Sequence, residues 1–325
     1  MNNILVVGGA GYVGGAIVDN LLRESSWVNT IPGAQNFKVT VYDNLLYEDS
    51  YRKDVDFVFG DIRDKEKLLP LLNKADSVIW LAALVGDGAC QINQALTKEL
   101  NEDSVGWLAE NFEGRIVFLS TCSVYGAQDV LLDEDSTTNP LSVYAITKLN
   151  AEKHLENKNA IIYRLGTLFG VGDIFSRIRL DLVVNILTVR AHMEGKIDVF
   201  GGEQFRPLLH VKDVAETVVN NLYSPAQGIY NIHKQNVRII DLAYQVRNHF
   251  PDMQINHTDI PFQDTRNYRV SSNKALTGLK FDPTHSIDEV IEELKYLVET
   301  KRIKDLNNAR YSNQAYLKEI DYGKT

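Results

Sequence analysis

The stretch that decides the fold is "NILVVGGAGYVGGAIVDNLLR", Asn3 to Arg23. It opens on a short apolar run, passes at once into glycines, and continues with Val13, Ile17 and Leu21 at helical spacing. That is a strand, a glycine turn and a helix. Gly9, Gly11 and Gly14 fit a G-x-G-x-x-G spacing, and Gly8, Gly11 and Gly14 fit G-x-x-G-x-x-G. The physics of both is the same. Glycine permits the tight turn and lets the backbone approach a pyrophosphate, which sits on the partial positive charge of the helix N-terminus. Glycines also serve ordinary strand-to-helix turns, so the signal comes from the strand before and the helix after.

Outward from this turn the texture repeats. "KVTVYD", "DFVFGD", "SVIWLAA", "RIVFLS" and "NAIIYRL" read as five further strands, with helical patterns between most of them, notably over 90–111 and 142–157. Strands alternating with helices predict a parallel sheet covered on both faces. The expected class is therefore α/β, a doubly wound parallel Rossmann sheet with a smaller C-terminal lobe. We place the dinucleotide-binding domain at 1–165, with 208–232 returning to it, and the second lobe at 166–207 and 233–325. Within that lobe "RLDLVVNILTVRAHM" is one apolar helix between two Gly-rich turns.

Composition excludes several classes. The 325 residues carry 34 Lys+Arg against 43 Asp+Glu, a net charge of −9 that argues against a nucleic-acid surface. Cys90 and Cys122, the two cysteines, have no metal-ligand spacing and imply no disulfide framework, so no metal is expected and a reducing cytoplasm suits the chain. No apolar run approaches the ~18 residues of a membrane span, and the N-terminus does not read as a signal peptide.

A dinucleotide needs an acid at the end of strand two for its adenosine ribose, and Asp43 in "VYDN" stands there. It lies 29 residues beyond Gly14, later than the usual ~20. The excess is "SSWVNTIPGAQN", residues 25–36, read as an inserted loop. No Arg or Lys follows Asp43 before Arg52, which favours NAD over NADP. After strand three, "GDIRD" offers Asp61 for the adenine amino group with Ile62 as an apolar wall; Asp61 reads equally as a helix N-cap.

Tyr144 and Lys148 in "YAITK" are one helical turn apart and share a face. A lysine ammonium stabilises a nearby phenolate, and a phenol lowered in this way can take a proton from a sugar hydroxyl as hydride leaves the carbon. Thr121 ends strand five, at the edge of the sheet where ligands bind, and its hydroxyl can hold the same substrate oxygen.

Taken in order, "GGAGYVG", "GDIRD", "LAALVG", "STCSVYG", "YAITK" and "RPLLHVKDVA" resemble the extended short-chain dehydrogenase/reductases that act on nucleotide sugars. The resemblance covers nearly the whole chain. It implies Thr121, Tyr144 and Lys148 as the catalytic constellation and Tyr125 as a structural tyrosine. It implies an NAD site built from Gly8, Gly11, Tyr12, Val13 and Gly14, then Asp43 and Asn44, then Asp61 and Ile62. Leu81, Ala82 and Ala83 complete that site with Asn101, Tyr144 and Lys148. On the substrate side it implies Thr121, Thr167, Val199 as a wall along the nucleotide base, and Arg206 and Arg269 for the diphosphate, with Arg266 a weaker candidate.

Departures from the family pattern matter. Its dehydratases carry an acid pair after the threonine, where this chain has Cys122 and Ser123, so elimination of water is not expected. Cys122 is read as a small packed residue and His210 as structural. Thr167 stands where many relatives have a substrate-contacting asparagine. The expected activity is NAD-dependent oxidation at C4 of a GDP- or UDP-linked hexose or heptose. The 4-keto sugar is either released by a dehydrogenase or returned inverted by an epimerase, and the tilt is towards release. In overall texture the chain resembles relatives that oxidise GDP-linked heptose for bacterial surface polysaccharide. A non-catalytic dinucleotide-binding relative is the third reading; such proteins usually lose the tyrosine or the lysine. A homodimer is expected, paired through the helices at 90–111 and 142–157, with Leu100, Leu108 and Leu149 outward or in the core.

Overall fold

The computed structural model describes residues 2–28, 37–258 and 267–323. Its central sheet has seven strands, all parallel. Five are β1 (Asn2–Val7), β2 (Phe37–Asp43), β3 (Asp56–Phe59), β4 (Ser77–Trp80) and β5 (Arg115–Thr121). The sixth, Ala160–Leu165, pairs with β5, and the seventh, Gly228–Ile232, pairs with the sixth at the edge. From the other edge the order is β3, β2, β1, β4, β5. The chain reverses direction in the sheet on either side of β1 and β4, the crevice where such folds bind ligands.

Continuous apolar strands are what a sheet buried on both faces requires. All seven residues of β5 and all four of β4 are buried. One core layer packs Val6, Ile79 and Val117 under helix α1 (Tyr12–Val28) and the helix Val211–Asn221; the other packs Leu5, Val78 and Phe118 under the helices of 87–111 and Val143–His154. The second lobe has its own core, from Val184 and Leu187 on the helix Val183–Glu194 to Val290 and Leu294 on the helix Ile287–Glu299.

Two expectations change, and the open choice at Leu100 and Leu108 falls to the core. The 25–36 insertion is not a loop throughout, because α1 runs on to Val28; residues 29–36 lie outside the described residues, as does Arg266. The 90–111 region is broken rather than one helix: Asn93 caps the short helix Gln94–Lys98, a π-helical turn occupies Glu99–Asp103, and Ser104–Asn111 follows. Leu100 and Leu108 face the core, so they offer no outward surface; Leu149 is half-buried, and Ile146 is the exposed apolar residue of Val143–His154. Among the described residues no helix is long and apolar enough to cross a membrane, and no cluster of His, Cys, Asp or Glu has the makings of a metal site.

Candidate active site

One cleft of about 570 Å³ runs along the carboxyl ends of β1 to β5 and is closed on the far side by the second lobe. Its floor is the glycine turn. Gly8 holds φ at +87°, and a Cβ there would sit 2.5 Å from the Ala82 nitrogen. A Cβ on Gly14 would meet the Gly8 carbonyl at 2.3 Å, so only glycine lets helix and turn close this tightly. Gly11 differs, since a Cβ on it would touch only the Gly8 oxygen at 3.5 Å; it is bare because the cleft needs the room. Tyr12 and Val13, which follow, also line the cleft, and the Tyr12 hydroxyl donates to the Gly170 carbonyl at 2.9 Å.

At the end of β2 the Asp43 carboxylate accepts from Ala10 N–H at 2.9 Å and Leu45 N–H at 2.7 Å, which fixes it at the lip of the glycine turn. Burial pushes its carboxyl up, and the backbone donors oppose that. Asn44 donates to Asp61 at 3.2 Å, and Arg63 clamps Asp61 through two nitrogens at 2.9 and 3.0 Å. Burial works against ionisation of Asp61, but Arg63 and Asn44 outweigh it and hold the carboxyl below the usual range. Ile62 is buried beside it. Leu81, Ala82 and Ala83 continue the wall, and the segment is pinned at Leu84 by Asn101. The Asn101 amide accepts from Leu84 N–H and donates to Leu84 C=O, both at 2.8 Å. Its place in the π-helical turn aims it there.

The far end of the cleft holds the chemistry. Ser142 caps the helix Val143–His154, accepting from Ala145 N–H and donating to Asp87 at 2.7 Å, and so sets Tyr144 at the mouth of β5. Thr121 and Tyr144 both line this end of the cleft, and the Thr121 hydroxyl favours the Tyr144 phenolate. Lys148 is buried one turn on, its ammonium 4.0 Å from the centre of the Phe118 ring. Burial draws that ammonium down to about 7, with Glu152 pulling the other way. Burial also dominates Tyr144 and pushes the phenol up, reinforced by Cys90 and Asp87; the opposing influences are Arg179 and the Thr121 hydroxyl. The expected lowering of the phenol by Lys148 is thus outweighed in this structure by desolvation.

Tyr125 is fully buried, donates to Asn231 at 2.8 Å and accepts from Arg164 at 2.9 Å. Cys122 is fully buried with its thiol on the Arg164 carbonyl at 3.2 Å. His210 accepts from Lys212 N–H and stacks on His285.

On the lobe side Thr167 and Arg206 line the cleft. Two predicted contacts do not. Val199 is 1% exposed and packs in the lobe core; on its strand it is Asp198 and Phe200, the alternate residues, that reach the cleft. Arg269 lies over the Phe205 ring and donates to the Asp129 carbonyl at 3.0 Å, away from the cleft walls. Three arginines that sequence reasoning missed are present instead. Arg190 reaches in from the helix Val183–Glu194, and its Nε is buried with no hydrogen-bond partner among the described residues. Arg179 is buried against Asp181 at 2.9 Å, and Arg177 lies over the Tyr47 ring. Burial and the neighbouring Arg179 draw Arg177 down to about 10.

These features suit a dinucleotide: a bare glycine facing the cleft, a carboxylate held at the end of β2, and a buried guanidinium nitrogen on the opposite wall. Comparison with known proteins agrees. The chain is 26% identical over 327 residues to an uncharacterized UDP-glucose epimerase of Bacillus subtilis, with 90% of this chain and 97% of that protein covered. It is 26% identical over 324 residues to a dTDP-glucose 4,6-dehydratase of Streptomyces niveus, covering 90% and 92%. Among solved structures it resembles a UDP-glucose 4-epimerase of Thermotoga maritima with UDP-glucose, at TM-score 0.77 and 22% identity over 92% of this chain and 99% of that one. It resembles MoeE5 with UDP-glucose and NAD at TM-score 0.76 and 22% identity, covering 93% and 100%. The model of the NAD dependent epimerase/dehydratase family matches residues 4–232, and the chain belongs to that family, the NAD-dependent extended short-chain dehydrogenase/reductases of nucleotide sugars.

Proposed function

We propose that this protein oxidises C4 of a nucleoside-diphosphate hexose and returns the hydride to the same carbon, as a 4-epimerase. The observation that carries the C4 chemistry is that Thr121, at the end of β5, and Tyr144 line one end of the cleft together, with Lys148 buried one turn behind. NAD supplies the hydride acceptor. Thr121 holds the reacting oxygen and Tyr144 takes its proton. Burial disfavours the phenolate and Arg179 opposes that; Lys148, one turn behind, would add its charge to the same side when protonated. Arg206 and Arg190 face the cleft from the lobe and suit a diphosphate, whose oxygens would supply the partner that Arg190 Nε lacks. We place the relatives' elimination chemistry aside, since the two positions after Thr121 are a buried thiol and a serine, without a carboxylate to act as acid.

The relatives named above carry UDP- and dTDP-glucose in their names, which supports a UDP-hexose ahead of a GDP-heptose. Release of the 4-keto sugar is the second reading; Thr167 on the cleft wall, in place of the usual asparagine, favours it. Incubation with UDP-hexose deuterated at C4 separates the two. Label retained at C4 of an epimeric product supports the epimerase, and label on NADH beside a 4-keto sugar overturns it. No turnover of any nucleotide sugar would remove both.

A further inference from the structure

The described residues up to Gly323 pack back onto the fold. After the helix Ile287–Glu299 the chain crosses back to the cofactor cleft. Ser312 caps the helix Asn313–Glu319. Asn313 is 4% exposed: it donates to the Val85 carbonyl at 2.8 Å, and its backbone N–H donates to Asp181 at 2.9 Å. Leu317 is buried in the same core as Leu5 and Val7. Tyr322 then folds back on Leu317, its N–H donating to that carbonyl at 3.0 Å. Asn93 holds the next carbonyl, Gly323, at 2.6 Å, and Gly323 turns there with φ at +87°.

Where this segment ends is the informative part. Tyr322 lines the cleft together with Asn44, whose side chain lies close enough to act on the Tyr322 phenol. Asn44 in turn holds Asp61. These residues stand at the ends of β2 and β3, three and four strands from Thr121 on β5. At ~4.8 Å per strand that is roughly 15–20 Å, the span of a dinucleotide whose reactive ring lies by Thr121. An aromatic face at that distance is at the adenosine end.

We infer that the C-terminal segment Asn313–Gly323 is a wall of the NAD site and that Tyr322 contacts the adenosine half of the cofactor. The segment is tied to both lobes, through Val85 and Asn93 on one side and Asp181 on the other, so it bridges the cleft mouth. A bound dinucleotide must displace Tyr322 to leave, and the segment retains cofactor between turnovers.

The test uses the full chain and reads cofactor binding directly. In Tyr322→Ala, exchange of bound NAD for labelled NAD should be about tenfold faster, the worth of one aromatic face against a base. AMP should compete about tenfold more weakly, while nicotinamide mononucleotide competes as in the parent. Tyr322→Phe keeps the ring and should stay within about threefold of the parent, since it gives up the hydroxyl alone. If Tyr322→Ala does not fold, amide hydrogen exchange of the parent replaces it, and AMP should raise protection over 313–323. Parent-like exchange and AMP competition in a folded Tyr322→Ala would overturn the inference. So would equal losses for AMP and nicotinamide mononucleotide, or protection unmoved by AMP.

Discussion

Asn101→Ala isolates the contribution of one side chain to the cofactor wall. Asn101 is 1% exposed and makes two bonds of 2.8 Å to a single residue, Leu84. The alanine variant leaves the Leu84 N–H buried without a partner, a loss of about 1–3 kcal/mol. The Leu84 carbonyl keeps only the Cys90 thiol at 3.4 Å, a poor donor, so roughly 1 kcal/mol more is lost there. The total, about 2–4 kcal/mol, is a large part of the ~5–15 kcal/mol that holds a domain together. It should appear as a lower urea midpoint with an unchanged slope. NAD affinity by calorimetry should fall about tenfold, because the loosened segment is the Leu81–Ala83 wall.

Asn101→Asp sharpens the test. It keeps the acceptor for Leu84 N–H but sets a carboxylate oxygen against the Leu84 carbonyl. The folded carboxyl is then raised above its unfolded value. Its protonated form can donate to the carbonyl, so stability is present at low pH and is lost as pH rises through the folded pKa. A loss below about 0.5 kcal/mol in Asn101→Ala with parent NAD affinity would refute the reasoning, as would an Asn101→Asp variant whose stability relative to the parent does not improve on acidification.

Tyr144→Phe should keep the fold and NAD binding while cutting turnover ~10²–10⁴-fold, and Tyr125→Phe should instead lower the urea midpoint; the reverse pattern sinks the assignment. Lys148→Met should move the rising limb of kcat against pH to higher pH, since it removes a charge that stabilises the phenolate; an unmoved limb argues that Arg179 alone sets the base. NAD should bind more tightly than NADP, with Asp43→Ala narrowing the gap, because a fixed carboxylate repels a 2′-phosphate; equal affinities in the parent, by calorimetry, remove Asp43 from that role. Burial draws His210 down to about 3 and His233 to about 4, so the unfolded chain takes up protons first and stability falls as pH drops from about 6.5 towards 4. At pH 5 that amounts to about 2 kcal/mol per histidine; a urea midpoint of the parent that stays flat from pH 6.5 to 5, or variants at these two positions that keep the parent's pH dependence, would contradict it. We further propose a homodimer through the helix Val143–His154, on its exposed Ile146; a monomer by light scattering at micromolar concentration counts against it.

The sheet was legible because its strands are apolar on both faces and local. "SVIW" and "RIVFLST" are buried throughout, and such runs announce themselves without an alignment. The seventh strand was not read as one, since "GIYNI" is short and begins on a glycine at φ +84°. The glycine turn, Asp43 and the Tyr144–Lys148 spacing were legible for the same local reason. What the sequence hid is what depends on distant partners. Arg190 sits in an apolar helix and reads as a surface residue until the lobe folds over it. Tyr322 lines the same cleft as Asn44 although the two lie far apart in the chain. The Val199 expectation runs against the alternation in "KIDVF", which buries Ile197 and Val199 together and leaves Asp198 and Phe200 for the cleft. Arg269 was placed by family position alone, and its real partners, Phe205 and Asp129, lie far off in sequence.

Two tyrosines close to β5 could each have been the base, and the structure separates them by what their hydroxyls already do. The Tyr125 hydroxyl is spent twice, accepting from Arg164 and donating to Asn231. Arg164 is itself locked in a buried pair with Glu152 at 2.7 Å, and Ser120 donates to that same carboxylate. A proton removed from Tyr125 would have to pass through a buried, hydrogen-bonded network that ties the sixth and seventh strands to the helix Val143–His154. Breaking such a network costs about 3–5 kcal/mol. Tyr144 stands two turns before Glu152 on that helix, in the cleft beside Thr121. The network holds the helix, and the helix holds the base. Glu152 also lies one turn beyond Lys148 and pulls its ammonium up against burial, so the carboxylate that anchors Arg164 helps keep a positive charge behind Tyr144. Structure and chemistry share that carboxylate, and a change at Glu152 should therefore disturb stability and the pH profile together.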